Sequence, residues 1–200
     1  MAEDYDRANE KSRKRKEARI KMMAEKTIEK GLIIVHTGPG KGKSTAAFGM
    51  ALRALTHGMK IGVVQFIKGK WESGERALFE RFPEQVTIKA MGEGFTWDTQ
   101  DRARDIAMAE RAWAEARGMI LDPSYHFVLL DEINIALRYE YLPIGEVVET
   151  LARKPAMTHV VLTGRNAREE LIAVADLVTE MTMVKHPFRA GVKAQRGIEF

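Results

Sequence analysis

Residues 32–36 (LIIVH) form an apolar run of strand length, which passes through TGPGKGKST into TAAFGMALRAL, residues 45–55, a nearly all-apolar stretch that reads as a buried helix. Few folds accommodate that succession. Glycines at 38, 40 and 42 let the backbone turn its N–H groups inward and come close to an anion. The helix that follows directs its free N–H groups and partial positive charge at the same point. In that setting Lys43 is placed to reach the outer phosphates of a nucleotide, and the Ser44 hydroxyl to ligate Mg²⁺. The expected phosphate contacts are Gly38, Pro39, Gly40, Lys41, Gly42, Lys43, Ser44 and Thr45. One residue departs from the usual pattern G-x-x-x-x-G-K-[ST], which places glycine where this chain has Thr37.

A second feature belongs with the first. The run FVLL (127–130) leads straight into Asp131-Glu132, setting carboxylates at the end of a strand, where one or both can hold Mg²⁺ or Mn²⁺ directly or through water. Alone, such a pair serves as well to cap a helix; beside a phosphate loop it reads as the metal site.

Further strands are expected at 61–66, 86–91, 159–163 and 177–184, the last alternating in polarity as an edge strand does. Ile106, Ala109, Trp113, Ala116 and Ile120 recur at intervals of three and four and mark a long amphipathic helix. The first, fourth and fifth strands are continuously apolar, as in a parallel sheet covered on both faces. The fold class is therefore α/β: a three-layer P-loop NTPase (RecA-like) domain over residues 31–200, with a mostly parallel sheet of about six strands. Residues 1–30 lack Gly and Pro and read as a charged helical arm or lid.

That arm holds ten Lys/Arg against seven acids, which leaves a net charge of only +1 on the other 170 residues. By charge the body is not a nucleic-acid binder. Zero cysteines exclude thiolate catalysis and cysteine-held metals. With no apolar run of membrane-spanning length and no signal-like N-terminus, the expectation is a cytoplasmic protein without a membrane partner. The histidines 36, 57, 126, 159 and 186 show no metal-ligand spacing and read as structural.

A phosphate loop does not specify a reaction. The runs TGPGKGKSTAAFG (37–49), GVVQFIKGKWESGE (62–75), GFTWDTQ (94–100), VLLDEI (128–133), YLPIGEVVETL (141–151), LTGRNA (162–167) and VKHPFRAGVKAQRGIEF (184–200) resemble those of the CobA/BtuR-type corrinoid adenosyltransferases. The resemblance covers nearly the whole chain. That family also carries a non-glycine residue at the place of Thr37.

The resemblance implies ATP:cob(I)alamin adenosyl transfer. A corrinoid reduced to Co(I) attacks the ribose 5′ carbon of ATP and expels triphosphate, whose charge Lys43, the loop amides and Mg²⁺ stabilise. It further implies that the nucleotide lies reversed, with C5′ toward the second substrate. Phe95 and Trp97 fall on the corrinoid side, where they displace the lower axial ligand and ease reduction of cobalt. From sequence alone this aromatic pair reads first as core anchors of a surface loop, and it is the resemblance that assigns it to the corrinoid. Arg53 and Arg165 are candidate contacts to phosphate or corrinoid. A homodimer, a reduced flavoprotein donor such as flavodoxin, and an arm that closes over the corrinoid are likewise implied. The competing reading is a RecA-like ATPase whose basic arm touches nucleic acid. Whether the corrinoid is cobalamin, cobinamide or an earlier precursor stays open.

Overall fold

The computed structural model describes residues 2–67, 74–91 and 101–199. Two compact units make up the chain, Met1–Lys30 and Gly31–Phe200. The first carries a helix, Ala2–Ala24, whose described side chains are all exposed. Its i,i+4 pairs Lys14–Glu10 and Arg13–Glu17 support an isolated helix by a few tenths of a kcal/mol each, about what exposed pairs contribute.

The second unit is built on a six-stranded sheet in the order β3-β2-β4-β5-β1-β6. The strands are β1 (Ile33–Thr37), β2 (Ile61–Gln65), β3 (Val86–Ala90), β4 (Phe127–Asp131), β5 (His159–Thr163) and β6 (Leu177–Glu180). All pairings are parallel, so helical crossovers must cover both faces. Alternate residues show it. Val35, Val64, Val128, Leu130, Val160 and Leu162 pack in one cluster with Trp113, Ala116 and Ile120 of the helix Arg102–Leu121. Ile34, Val63, Leu129 and Val161 pack in the other with Phe48 and Ala51 of the helix Lys43–Thr56.

The edges differ from the centre as their polarity predicts. β1 and β4 are buried along their whole length, whereas β6 is exposed throughout. β6 is also shorter than its alternating pattern suggests. After Glu180 the chain turns onto the loop following β1, where the Met181 carbonyl accepts the Gly40 N–H at 2.6 Å. Short helices at Gly74–Phe79, Ile133–Arg138, Ile144–Ala152 and Glu169–Val174 complete the crossovers. No helix among the described residues is long and apolar enough to cross a membrane.

Sheet order positions the site. β1 and β4 do not touch; β5 lies between them, so the ends carrying Thr37 and Asp131 stand two strand spacings apart, about 10 Å. Thr163, the last residue of β5, sits in that gap.

Candidate active site

The loop after β1 owes its course to backbone freedom at two points. Gly38 has φ +94° and Gly42 φ +102°, values that L side chains rarely adopt. Thr37 needs no such freedom. It is the last residue of β1, in register with Glu180, and its hydroxyl accepts the Ala167 N–H at 3.0 Å. The glycine missing from the usual pattern is thus missing where an extended residue suffices.

Of the loop's N–H groups, Gly40's is already bonded to Met181, and Pro39 has none. An anion in the loop can draw on those from Lys41 onward, which lead into the helix Lys43–Thr56. Gly42 caps that helix without a side-chain bond, and its first turn contains no acid. These conditions leave the turn's positive end open to an anion.

Lys43 is buried, with its ammonium donating to Gly38 O at 3.0 Å and Gly40 O at 2.5 Å. Burial lowers its pKa most; Glu132 opposes the shift, while Arg165 and Lys41 add to it. Behind it, His36 Nδ1 lies 3.2 Å from Lys43 O. A carbonyl can only accept, so that nitrogen carries the proton. His126 and His159 each accept a backbone N–H, from Lys60 and Leu32, which is structural work.

The acidic end is fixed from both neighbouring strands. Asp131 accepts from Gln65 Nε2 on β2 at 3.3 Å and from Thr163 Oγ1 on β5 at 2.8 Å. Thr163 Oγ1 in turn accepts the Glu132 N–H at 2.9 Å. Glu132 itself has φ +61°, and its Oε2 is buried without a hydrogen-bond partner among the described residues. Burial first, and then the Asp131 charge, push its carboxyl up to about 7, against the opposing pull of Lys43 and Arg165.

Those facts fit a divalent cation. A buried carboxylate oxygen without a donor, beside a second carboxylate, is a site that a cation would satisfy. No group of three or more metal-ligating side chains occurs among the described residues. The two carboxylates Asp131 and Glu132 are a donor set of the kind Mg²⁺ uses alongside phosphate oxygens.

Glu132 also makes stability depend on pH. Its folded pKa lies above the unfolded value of 4.5, so the native state holds a proton that the unfolded state releases as pH rises. Without divalent cations, Glu132→Gln should match the wild type in stability near pH 4. Above pH 7 it should be the more stable by up to about 3 kcal/mol. Urea midpoints across that range check it; a constant gap would contradict it.

Arg165, exposed just past β5, acts electrostatically on both Lys43 and Glu132, so three of the residues expected at the site come together. Ser44 is half-buried, and Thr45 and Pro39 are exposed at the loop. Lys41 pairs with Glu199. Arg53 is not brought to the loop. It lies exposed in the last turn of the same helix, ten residues beyond Lys43 and so roughly 15 Å along the axis. Phe95 and Trp97 fall outside the described residues.

Sequence reasoning did not single out Gln65, Thr163 or Asn134. The first two are polar residues ending apolar strands, a signal that was available. Asn134 is wholly buried and donates to Gly164 O at 3.0 Å, a contact that only the tertiary structure creates.

A family model for the ATP:corrinoid adenosyltransferase BtuR/CobO/CobP matches residues 29–200. A corrinoid adenosyltransferase of Sinorhizobium sp is 63% identical over 192 residues, covering 95% of this chain and 90% of that one. One from Pseudomonas aeruginosa is 53% identical over 198 residues, covering 99% and 98% respectively. The corrinoid adenosyltransferase CobA of Salmonella typhimurium is 46% identical over 198 residues, with the same coverage.

Proposed function

Because the chain belongs to the ATP:corrinoid adenosyltransferase family BtuR/CobO/CobP, we propose an account of how its phosphate loop serves adenosyl transfer. The protein is a transferase that uses ATP to adenosylate a corrinoid. In the proposed chemistry the Co(I) electron pair forms a bond to C5′ of the ribose. The C5′–O bond breaks, and its pair leaves on triphosphate.

Co(I) is a strong nucleophile, so no side chain need remove a proton. The protein's task is to orient ATP and receive charge on the departing polyphosphate. Lys43 and the N–H groups leading into the helix from Lys41 onward hold that polyphosphate, and Arg165, whose charge acts on both Lys43 and Glu132, adds positive charge. Ser44, Glu132 and Asp131 would hold the divalent cation, Mg²⁺ or Mn²⁺, with Asp131 fixed by Gln65 and Thr163 and Glu132 offering its free oxygen. When bound, that ion supplies charge neutralisation to the phosphates. The observation that carries this reading is a buried ammonium inside a glycine loop.

Phe95 and Trp97 are proposed to face the corrinoid and displace its lower axial ligand. A homodimer and a reduced flavoprotein donor such as flavodoxin, both resting on the family resemblance, complete the proposal, together with the cytoplasmic setting expected from the sequence.

The experiment that tests the reaction follows a label. With ATP labelled in its adenosine moiety and prereduced cobalamin, the label should enter a light-sensitive corrinoid product. A RecA-like ATPase would instead leave it in ADP, at a rate that rises with nucleic acid.

Residues 1–30 are proposed to act as a lid on the corrinoid side. Deleting residues 1–28 should leave the ATP dissociation constant within about threefold, since the loop's contacts lie in the other unit. Corrinoid turnover should fall tenfold or more. Unchanged turnover would remove the lid from the account.

A further inference from the structure

Arg165 stands between two residues with left-handed backbone, Gly164 at φ +126° and Asn166 at φ +54°. A turn of that kind persists only where its surroundings over-determine it. Three bonds do so here. The Gly164 N–H donates to His36 O at 3.2 Å, the Asn134 amide donates to Gly164 O at 3.0 Å, and the Ala167 N–H donates to Thr37 Oγ1 at 3.0 Å. Gly164 also packs so closely on Asn134 that a Cβ there would lie 2.9 Å from the Asn134 Cβ.

One side of the turn is thus held by β4's continuation and the other by the end of β1. β1 holds the turn at two points, through the His36 carbonyl and through a side chain, the buried Thr37 hydroxyl, at the position where the common loop pattern has a glycine. Glycine could supply no such acceptor.

We infer that Thr37 is a positioning residue for Arg165: its hydroxyl ties the Arg165 turn to the strand that carries the phosphate loop. The guanidinium and the Lys43 ammonium are thereby held in one frame. This deepens the proposed function and rests on its reading of Arg165 as a contact to the reacting ATP–corrinoid pair. A hydroxyl that served only the strand would act on stability and equally in every background.

The test is a double-mutant cycle on adenosyl transfer to prereduced cobalamin, with the full chain and MgATP. Thr37→Val keeps the shape and strand preference but deletes the acceptor. It should lower kcat/KM for ATP about five- to tenfold, the scale of one lost hydrogen bond, while Thr37→Ser keeps most of the activity. In an Arg165→Ala background, Thr37→Val should change the rate by less than twofold. Thr37→Ala deletes the same hydroxyl and carries the comparison if valine lowers the thermal midpoint.

An equal loss in both backgrounds overturns the inference, and so does wild-type activity of the hydroxyl deletion, each while leaving the Arg165 reading intact. An Arg165→Ala enzyme with wild-type activity refutes that reading itself, and the inference with it.

Discussion

Lys43→Ala is expected to slow adenosyl transfer by about two orders of magnitude or more, while leaving the protein folded. Its ammonium is buried in the loop and already oriented by Gly38 O and Gly40 O. In the proposed reaction it would therefore meet the leaving group's charge without reorganising. Removing one preorganised donor of this kind costs about 3 kcal/mol, and each 1.4 kcal/mol or so is tenfold in rate. Stability should move the other way or not at all. Burial depresses the Lys43 pKa, so folding works against this cation and its loss relieves that term. Single-turnover rates with prereduced cobalamin, alongside urea midpoints, check both halves. A rate within tenfold of wild type would remove Lys43 from the chemistry.

Gly38→Ala should be the most damaging single methyl in the phosphate loop. At φ +94° an alanine is strained, which costs about 1–2 kcal/mol. Its Cβ would also stand 2.5 Å from Met181 O and 2.8 Å from Met181 N, backbone atoms that cannot swing aside; such overpacking adds about 1–3 kcal/mol. The loop can relieve the contact only by moving off the segment after β6, so ATP affinity should fall along with stability, by tenfold or more. Gly49→Ala is the control. That glycine lies in the helix Lys43–Thr56 with nothing within 4 Å of the point a Cβ would occupy, and the same change there should stabilise by about 0.5–1 kcal/mol. Opposite signs in urea denaturation, and ATP binding lost only in Gly38→Ala, are the expected results. Similar behaviour of the two would contradict the loop's geometry.

How much was legible in advance follows from which forces are local. The phosphate loop could be read because strand, glycines, lysine and helix are contiguous, and covalent spacing alone places Lys43 at the helix start. Asp131 and Glu132 could be read because they follow four apolar residues without a break. The alternation of β6 marked it as an edge strand, but its end at Glu180 coincides with Met181 bonding Gly40 in the loop past the neighbouring strand β1. Arg53 shares a helix with the loop, but helical rise sets it roughly 15 Å along the axis from Lys43, a separation that the sequence spacing itself encodes. Strand order is not written in any one segment, and so neither was the role of Thr163, which bonds to the Asp131–Glu132 pair only because β5 lies beside β4. Thr37 looked like a departure from a pattern until its partner, 130 residues later, gave it a function in the fold.

The central claim is that this loop holds triphosphate as a group to be expelled, and the leaving group itself is the most direct witness. Under anaerobic conditions, protein, MgATP and prereduced cobalamin should yield triphosphate and adenosylcobalamin in equal amounts, with negligible ADP. Formation of ADP and orthophosphate instead, at a rate indifferent to the corrinoid, would contradict it.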